Sequence, residues 1–178
     1  LIWVLWSYFR LRTTEVAPFA ESMGLKLEGV RWAPYWIMLA AAIPLVSFAA
    51  TQADFLLTYP KLRGFLSLQP GGSSWWKAIL FELCYGSDFL TIELFFRGFL
   101  VVFLSRWIGP AAILPMAVFY CSIHFGKPLL ECISSYLGGI LLGIFAYYSR
   151  SIFGGILVHL GLAWMMELAA WIALHWKR

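Results

Sequence analysis

Long apolar stretches, separated by short breaks rich in glycine, proline or charge, are the feature that most restricts the fold of this chain. A helix needs about 20 apolar residues to cross the hydrocarbon core of a bilayer. Residues 32–51, 128–148 and 152–174 meet this requirement, and residues 75–107 exceed it. Lipid cannot hydrogen-bond to open backbone groups, so spanning segments must be helical. The sequence therefore predicts an all-α, polytopic membrane helix bundle.

Composition supports this fold class and limits the partners. Hydrophobic residues make up 62% of the chain and charged residues 12%, which is more apolar surface than a soluble domain of this length can bury. Membrane lipid is therefore an expected partner, and a bacterial plasma (inner) membrane is the expected location. Basic residues are scattered and form no stripe, so nucleic acid is not an expected partner. Four of them lie before residue 32 and place that loop in the cytoplasm: Arg10, Arg12, Lys26 and Arg31.

The first part of the chain, residues 1–74, is predicted to form N-terminal membrane helices and loops. Residues 1–9 resemble the end of a longer helix rather than a signal peptide, since they lack a basic start and a small-residue cleavage site. Residues 10–31 are polar and are expected to form a loop or an interfacial helix. Residues 52–74 are expected to be a loop, because Pro60 and the run at 69–74 interrupt helices.

The second part, residues 75–178, is predicted to be the functional core. A break is expected at residues 85–88, where Gly, Ser and Asp follow one another, and another at Gly109-Pro110. The helix after this second break should end near His124, and Lys127-Pro128 should open the next one. Lys127 and Glu131 are four apart and are expected to pair near the membrane surface.

Three cysteines, Cys84, Cys121 and Cys132, stand in apolar surroundings without a CxxC spacing. The odd count argues against a disulfide framework. We expect inert, buried thiols.

Charged side chains in apolar helices indicate a site, because a charge at mid-membrane costs about 2.5–3.5 kcal/mol on insertion scales. Glu93 and Arg97 are four residues apart, which places them on one helix face. This spacing fits a structural ion pair. It also fits a carboxylate held in position by its own arginine.

Two histidines lie in the later apolar segments. His124 ends one helix and His159 lies inside another. A single histidine in such a position often only caps a helix or bonds to a neighbour. Two of them with an intramembrane glutamate predict a shared site, because imidazole and carboxylate groups bind zinc or transfer protons near neutral pH. Zn²⁺ bound by Glu93, His124 and His159 is the candidate cofactor.

The order of these residues resembles the CPBP family, which comprises CAAX proteases and bacteriocin-processing enzymes and is also called the Abi family. That family carries EExxxR, FxxxH and HxxxN motifs on consecutive helices. Glu93-Leu-Phe-Phe-Arg97-Gly is similar to the first, Tyr120-Cys-Ser-Ile-His124 to the second, and His159 begins the third. The resemblance covers residues 75–167. It implies a CAAX protease-like intramembrane endopeptidase, a metalloprotease if zinc is used, that cleaves a membrane-associated peptide or protein substrate.

The resemblance also implies roles. Glu93 would be the base or the carboxylate that orients the site, and Arg97 would hold it. His124 and His159 would bind the metal or the water.

Two motif positions differ from the family pattern. Ile92 stands where the family has its first glutamate, usually given the role of base, and Ala163 stands where it has asparagine. Asp88 and Glu167 lie one turn away from these positions, on the same helix faces. They are therefore candidate reserve acids of a site shifted by one turn. Alternatively, Asp88 caps a helix and Glu167 lies near an interface.

Three other functions compete with a protease of this type. The losses at Ile92 and Ala163 fit a catalytically impaired relative that acts as an immunity or scaffold protein. A proton-coupled transporter would use the same Glu and His groups, although the sequence shows no paired repeats. A serine–histidine protease lacks its Gly-x-Ser-x-Gly turn here.

Overall fold

A computed structural model of the chain describes residues 18–67 and 75–176. Within these ranges the secondary structure is helical, without strands, and confirms the all-α class. The α-helices are α1 (Phe19–Ser22), α2 (Ala33–Ala49), α3 (Ala53–Thr58), α4 (Lys61–Ser67), α5 (Trp75–Glu93), α6 (Ser105–Ile108), α7 (Ile113–Ser122), α8 (Leu129–Ser149) and α9 (Phe153–Trp176). A π-helical segment, Leu94–Phe103, continues α5, and a 3₁₀ turn, Gly109–Ala112, leads into α7.

Three helical stretches in the described ranges are long and apolar enough to cross a membrane. They are Trp75–Ser122, Leu129–Ser149 and Phe153–Trp176. The predicted first span is a helix too, but α2 has 17 residues and contains Pro44, so it is shorter than the sequence suggested. The predicted helix ends near residues 124, 128 and 150 are confirmed, with Arg150 in a left-handed turn at φ 54°.

The break expected at residues 85–88 is wrong. Helix α5 runs through these residues because the Ser87 hydroxyl donates to the carbonyl of Cys84 in its own helix, at 2.7 Å. Gly86 is buried where α5 passes Leu160 and Trp164 of α9. The glycine therefore serves helix packing rather than a turn.

The irregularity of this helix lies further on, in the π-helical segment. A π-helix has a wider turn than an α-helix and occurs often at functional sites. Arg97 and Gly98 lie inside it and are buried. A Cβ atom on Gly98 would lie 2.7 Å from the carbonyl oxygen of Met23. Glycine thus allows the N-terminal segment to cross this turn.

The long loop predicted at 52–74 is partly wrong. It contains α3 and α4, which Pro60 separates, and Phe55 of α3 lies in a buried cluster with Ala170 of α9. Residues 68–74 lie outside the described part of the chain, as do residues 1–9 and 10–17 of the expected N-terminal helix and loop.

Close helix contacts at glycine hold the bundle together. Gly139 and Gly143 of α8 face α7, and Gly154 of α9 faces the ring of Tyr35 on α2. Small residues let helix backbones approach in lipid, where dispersion contacts rather than water exclusion drive association. Gly138, in contrast, faces open space.

The cysteines are less buried than expected. Cys84 is exposed on the surface of α5, whereas Cys121 and Cys132 are partly exposed. The helices that carry them have apolar outer faces, and these faces are exposed in the isolated chain. Apolar neighbours in the sequence therefore did not ensure that a cysteine is buried.

Candidate active site

The buried ion pair between Glu93 and Arg97 is the centre of the polar site. Glu93 ends α5 and Arg97 lies in the π-helical segment, and both side chains are 0% exposed. Arg97 Nη1 lies 2.9 Å from Glu93 Oε1. The predicted pairing is confirmed. The attraction between these opposite charges offsets part of the cost of taking both of them out of water.

His159 joins the ion pair from α9. Its Nδ1 atom lies 2.5 Å from Glu93 Oε1, and its Nε2 atom lies 2.6 Å from the hydroxyl of Tyr120. The Arg97 guanidinium lies over the Tyr120 ring, 4.4 Å from its centroid. Arg97, Glu93, His159 and Tyr120 therefore form a closed ring of contacts contributed by three helical stretches.

The partners of His159 determine which of its two ring nitrogens carries the proton. The Glu93 carboxylate can accept a hydrogen bond but cannot donate one, so neutral His159 carries its proton on Nδ1, the nitrogen that faces Glu93. Nε2 then accepts the hydrogen bond from the Tyr120 hydroxyl. Phe89 stacks on the imidazole, with ring centroids 5.7 Å apart and planes 10° apart, and so holds its orientation.

His124 lies beside this ring of contacts, in the turn after α7. Its ring centroid is 4.6 Å from that of Tyr120, and its Nδ1 atom lies 2.9 Å from the Tyr120 carbonyl oxygen. A carbonyl only accepts, so Nδ1 carries the proton and Nε2 carries the lone pair. Burial lowers the pKa of His124 below its ordinary value, and the neighbouring Lys127 acts in the same direction. His124 is therefore a neutral base at pH 7.

Gly155 brings the backbone of α9 against the Glu93 carboxylate. A Cβ atom at residue 155 would overlap with the Glu93 Oε2 atom, and it would lie 2.6 Å from the carboxyl carbon. Glycine at this position is thus a requirement of the site. Its role at the site was missed from the sequence.

Tyr120 was also missed as a site residue. The sequence did contain the signal, because Tyr120 is four residues before His124 and so lies on the same helix face. Its hydroxyl is the group that connects the His124 side of the site with His159.

The two reserve acids lie elsewhere. Asp88 is exposed. Glu167 is buried and accepts hydrogen bonds from the backbone N–H groups of Lys61, at 2.7 Å, and Leu62, at 3.2 Å. It is eight residues beyond His159 in α9, about 12 Å along the helix axis. Among the described residues no hydrogen bond or ion pair joins either acid to Glu93, His124 or His159, and their catalytic role stays a prediction.

Glu167 caps the first turn of α4, because its carboxylate satisfies two N–H groups that have no partner inside that helix. We expect Glu167→Ala to lower the free energy of unfolding by about 1–2 kcal/mol. The matched change Asp88→Ala, at an exposed carboxylate, should leave it within about 0.5 kcal/mol. Thermal melting in detergent micelles measures both. Loss of catalysis in Glu167→Ala without loss of stability would contradict the capping role.

The predicted zinc ligands do not fit a metal in this arrangement. Within the described ranges no group of three or more His, Cys, Asp or Glu side chains converges as a metal site. Both ring nitrogens of His159 are already engaged, by Glu93 and by Tyr120. The zinc site stays a prediction from the sequence.

The Ile92 and Ala163 side chains are apolar parts of the packing around the site. Ile92 is partly buried against a core cluster that includes Phe96 and Tyr120, and Ala163 is 5% exposed. The chain thus keeps Glu93, Arg97 and both histidines in a site from which two polar groups of the motif pattern are absent.

Comparison with known proteins identifies the family. Residues 74–165, just over half of the chain, match the family described as type II CAAX prenyl endopeptidase Rce1-like. No curated protein and no solved structure matches the chain. The matched region holds Glu93, Arg97, Tyr120, His124 and His159. The chain is therefore an integral membrane protein that belongs to the type II CAAX prenyl endopeptidase Rce1-like family.

Proposed function

We propose that the chain is a membrane endopeptidase that hydrolyses a peptide bond in a membrane-associated substrate. The observation that carries this proposal is the ring of contacts formed by Arg97, Glu93, His159 and Tyr120, with His124 beside it. A structural ion pair alone would not need two histidines and a tyrosine hydroxyl. The family match supports the same class of reaction.

His124 is the proposed general base. Its Nε2 lone pair takes a proton from water as the water oxygen bonds to the carbonyl carbon of the scissile peptide. When the C–N bond breaks, the same nitrogen returns the proton to the leaving amine. The hydrogen bond from Nδ1 to the Tyr120 carbonyl holds the ring in the tautomer that this step requires.

Tyr120 is the proposed donor to the oxyanion. Its hydroxyl turns from His159 Nε2 to the substrate oxygen as negative charge develops there. Glu93 and Arg97 position His159, and through it the hydroxyl. Of the two roles expected for Glu93, base or orienting carboxylate, the buried ion pair supports the second, since a water would have no access to an oxygen that is 0% exposed.

An apolar cavity of about 250 Å³ is the proposed binding site for the apolar part of the substrate. Its lining includes Leu90 and Leu94, from the helical stretch that carries Glu93, and Ile156 of α9, the helix that carries His159. A prenyl chain on the peptide, as the family description indicates, matches the apolar lining in chemistry. The peptide bond to be cleaved would then lie at the His124 side.

A second candidate function is binding of a peptide without cleavage. The observation that favours it is the pair of apolar residues Ile92 and Ala163 at positions where the family motif has polar groups. Such a protein would use the same cavity and polar site for recognition, as an immunity or scaffold protein.

The experiment that separates these functions uses the full chain in lipid vesicles with a prenylated peptide that carries a fluorophore and quencher on either side of the scissile bond. The wild-type protein should cleave it, and His124→Ala should lower the rate by at least about 100-fold, the usual contribution of a general base. His175→Ala, which changes an exposed histidine at the end of α9, is the control and should retain full activity. Binding of the peptide without any cleavage by the wild type would favour the scaffold.

The pH dependence gives a second test of the base. Only neutral His124 accepts a proton, so kcat/KM should fall as the pH drops through its pKa. Burial lowers that pKa, and the midpoint should therefore lie below the ordinary histidine value of about 6.5, with constant rates above about pH 7.5. A profile of kcat/KM from pH 4.5 to 8.5 measures it. A midpoint above 6.5 would contradict the assignment of His124 as base.

A further inference from the structure

The loop that carries His124 is flanked by two cysteines whose sulfur atoms face each other. Cys121 lies in the last turn of α7 and Cys132 in the first turns of α8, and their Sγ atoms are 3.9 Å apart. The Cys121 Sγ atom also lies 3.5 Å from the Cys132 carbonyl oxygen. Ten residues lie between them in the sequence, and no CxxC spacing indicates a pair there.

We propose that Cys121 and Cys132 form a redox-active thiol pair, which small-molecule disulfides oxidise to an intramolecular disulfide. A disulfide requires the sulfur atoms to approach to about 2.05 Å. The two atoms must therefore approach each other by just under 2 Å. Both residues are partly exposed and lie close to the ends of their membrane-spanning stretches, where a reagent in water reaches them.

The reaction balances without a metal or a cofactor. A thiolate of the pair attacks the reagent disulfide, forms a mixed disulfide and releases one small thiol. The second cysteine then attacks the bound sulfur and releases the other small thiol. Two cysteine thiols are oxidised to one disulfide, and the reagent disulfide is reduced to two thiols.

This disulfide would cross-link α7 and α8 beside the site. Cys121 directly follows Tyr120 and is three residues before His124. A bond to Cys132 would join the end of α7 to the start of α8 and close the His124 turn into a covalent loop. Opening of this hairpin, by which a substrate could reach His124, would be restricted in the oxidised protein.

The third cysteine makes the experiment specific. Cys84 is exposed on α5, and no contact between its thiol and another sulfur exists in the described ranges. Purified protein in micelles is treated with oxidised glutathione, and intact mass and remaining alkylatable thiols are measured. The Cys84→Ser protein should lose the mass of two hydrogens and keep no alkylatable thiol, whereas Cys84→Ser/Cys121→Ser and Cys84→Ser/Cys132→Ser should instead gain glutathione. The wild type should form the same internal disulfide, with Cys84 either free or carrying one glutathione.

Two results would overturn the proposal. One is a wild-type protein that takes up glutathione on all its thiols without forming an internal disulfide. The other is an internal disulfide that persists in Cys121→Ser. Backbone hydrogen exchange provides an independent measurement of how far the disulfide restricts this hairpin. Exchange in residues 121–132 should slow by at least tenfold on oxidation, and unchanged exchange would contradict the proposed restriction.

Discussion

Glu93→Gln is expected to abolish peptide cleavage and to lower the free energy of unfolding by about 3–5 kcal/mol, the usual effect of removing one partner of a buried ion pair. The substitution keeps the shape of the side chain but leaves the Arg97 charge buried without a counter-charge. It also replaces the charged acceptor beside His159 Nδ1 with a neutral amide. The effect is therefore electrostatic rather than steric.

Matched variants separate the two losses. Asp88→Asn makes the same type of change at an exposed carboxylate of the same helix, and unchanged cleavage and stability there would also contradict the predicted role of Asp88 as a reserve acid. The double variant Glu93→Gln/Arg97→Met removes both charges and should regain much of the lost stability without regaining activity. Stability is measured by thermal melting in micelles and cleavage by the fluorescent peptide. Full activity in Glu93→Gln would refute the proposed role of the ion pair.

Gly155→Ala is expected to have the second largest effect, at a residue without any functional group. The added Cβ atom would occupy the place of the Glu93 carboxylate. A carboxylate at the end of a flexible side chain could ordinarily move away. This one is held by Arg97 and His159 and is fully buried, so it can move only by breaking those contacts. We expect at least a 100-fold loss of kcat/KM and a loss of about 1–3 kcal/mol in stability.

Gly138→Ala is the control for this change. Residue 138 lies on α8, and a Cβ atom there would meet nothing within 4 Å. Alanine is favoured over glycine inside a helix by about 1 kcal/mol, so this variant should be as stable as the wild type or more so. Equal behaviour of the two variants in melting and cleavage assays would show that the contact at Gly155 does not restrict Glu93.

The helices and most of their ends could be predicted from the sequence because local signals determine them. Apolar length set α8 and α9, and Pro128 and Gly109-Pro110 marked breaks that the structure confirms. The same signals failed at residues 85–88. Gly and Ser there suggest a turn, but packing against α9 and a hydrogen bond to the preceding turn keep the helix intact.

Part of the site could also be predicted from the sequence. Spacing placed Glu93 beside Arg97, because residues four apart in a helix are neighbours whatever the fold. That Glu93 and His159 share a site was predicted from their chemistry and from the resemblance, whereas their direct contact depends on how α9 packs against α5. The place of Glu167 could not be foreseen, because its partners are backbone groups of residues 61 and 62 rather than side chains with a sequence signature.

The sequence by itself determined that this is a helical membrane protein with charged side chains inside its apolar helices, because hydropathy and helix periodicity act over short distances along the chain. Only the tertiary structure decided what those groups contact. Glu93 is buried against Gly155, His159 shares its two nitrogens between a carboxylate and a tyrosine, and Cys121 faces Cys132. Each of these contacts joins residues from different helices, and the distance between helices is set by the packing of the whole bundle.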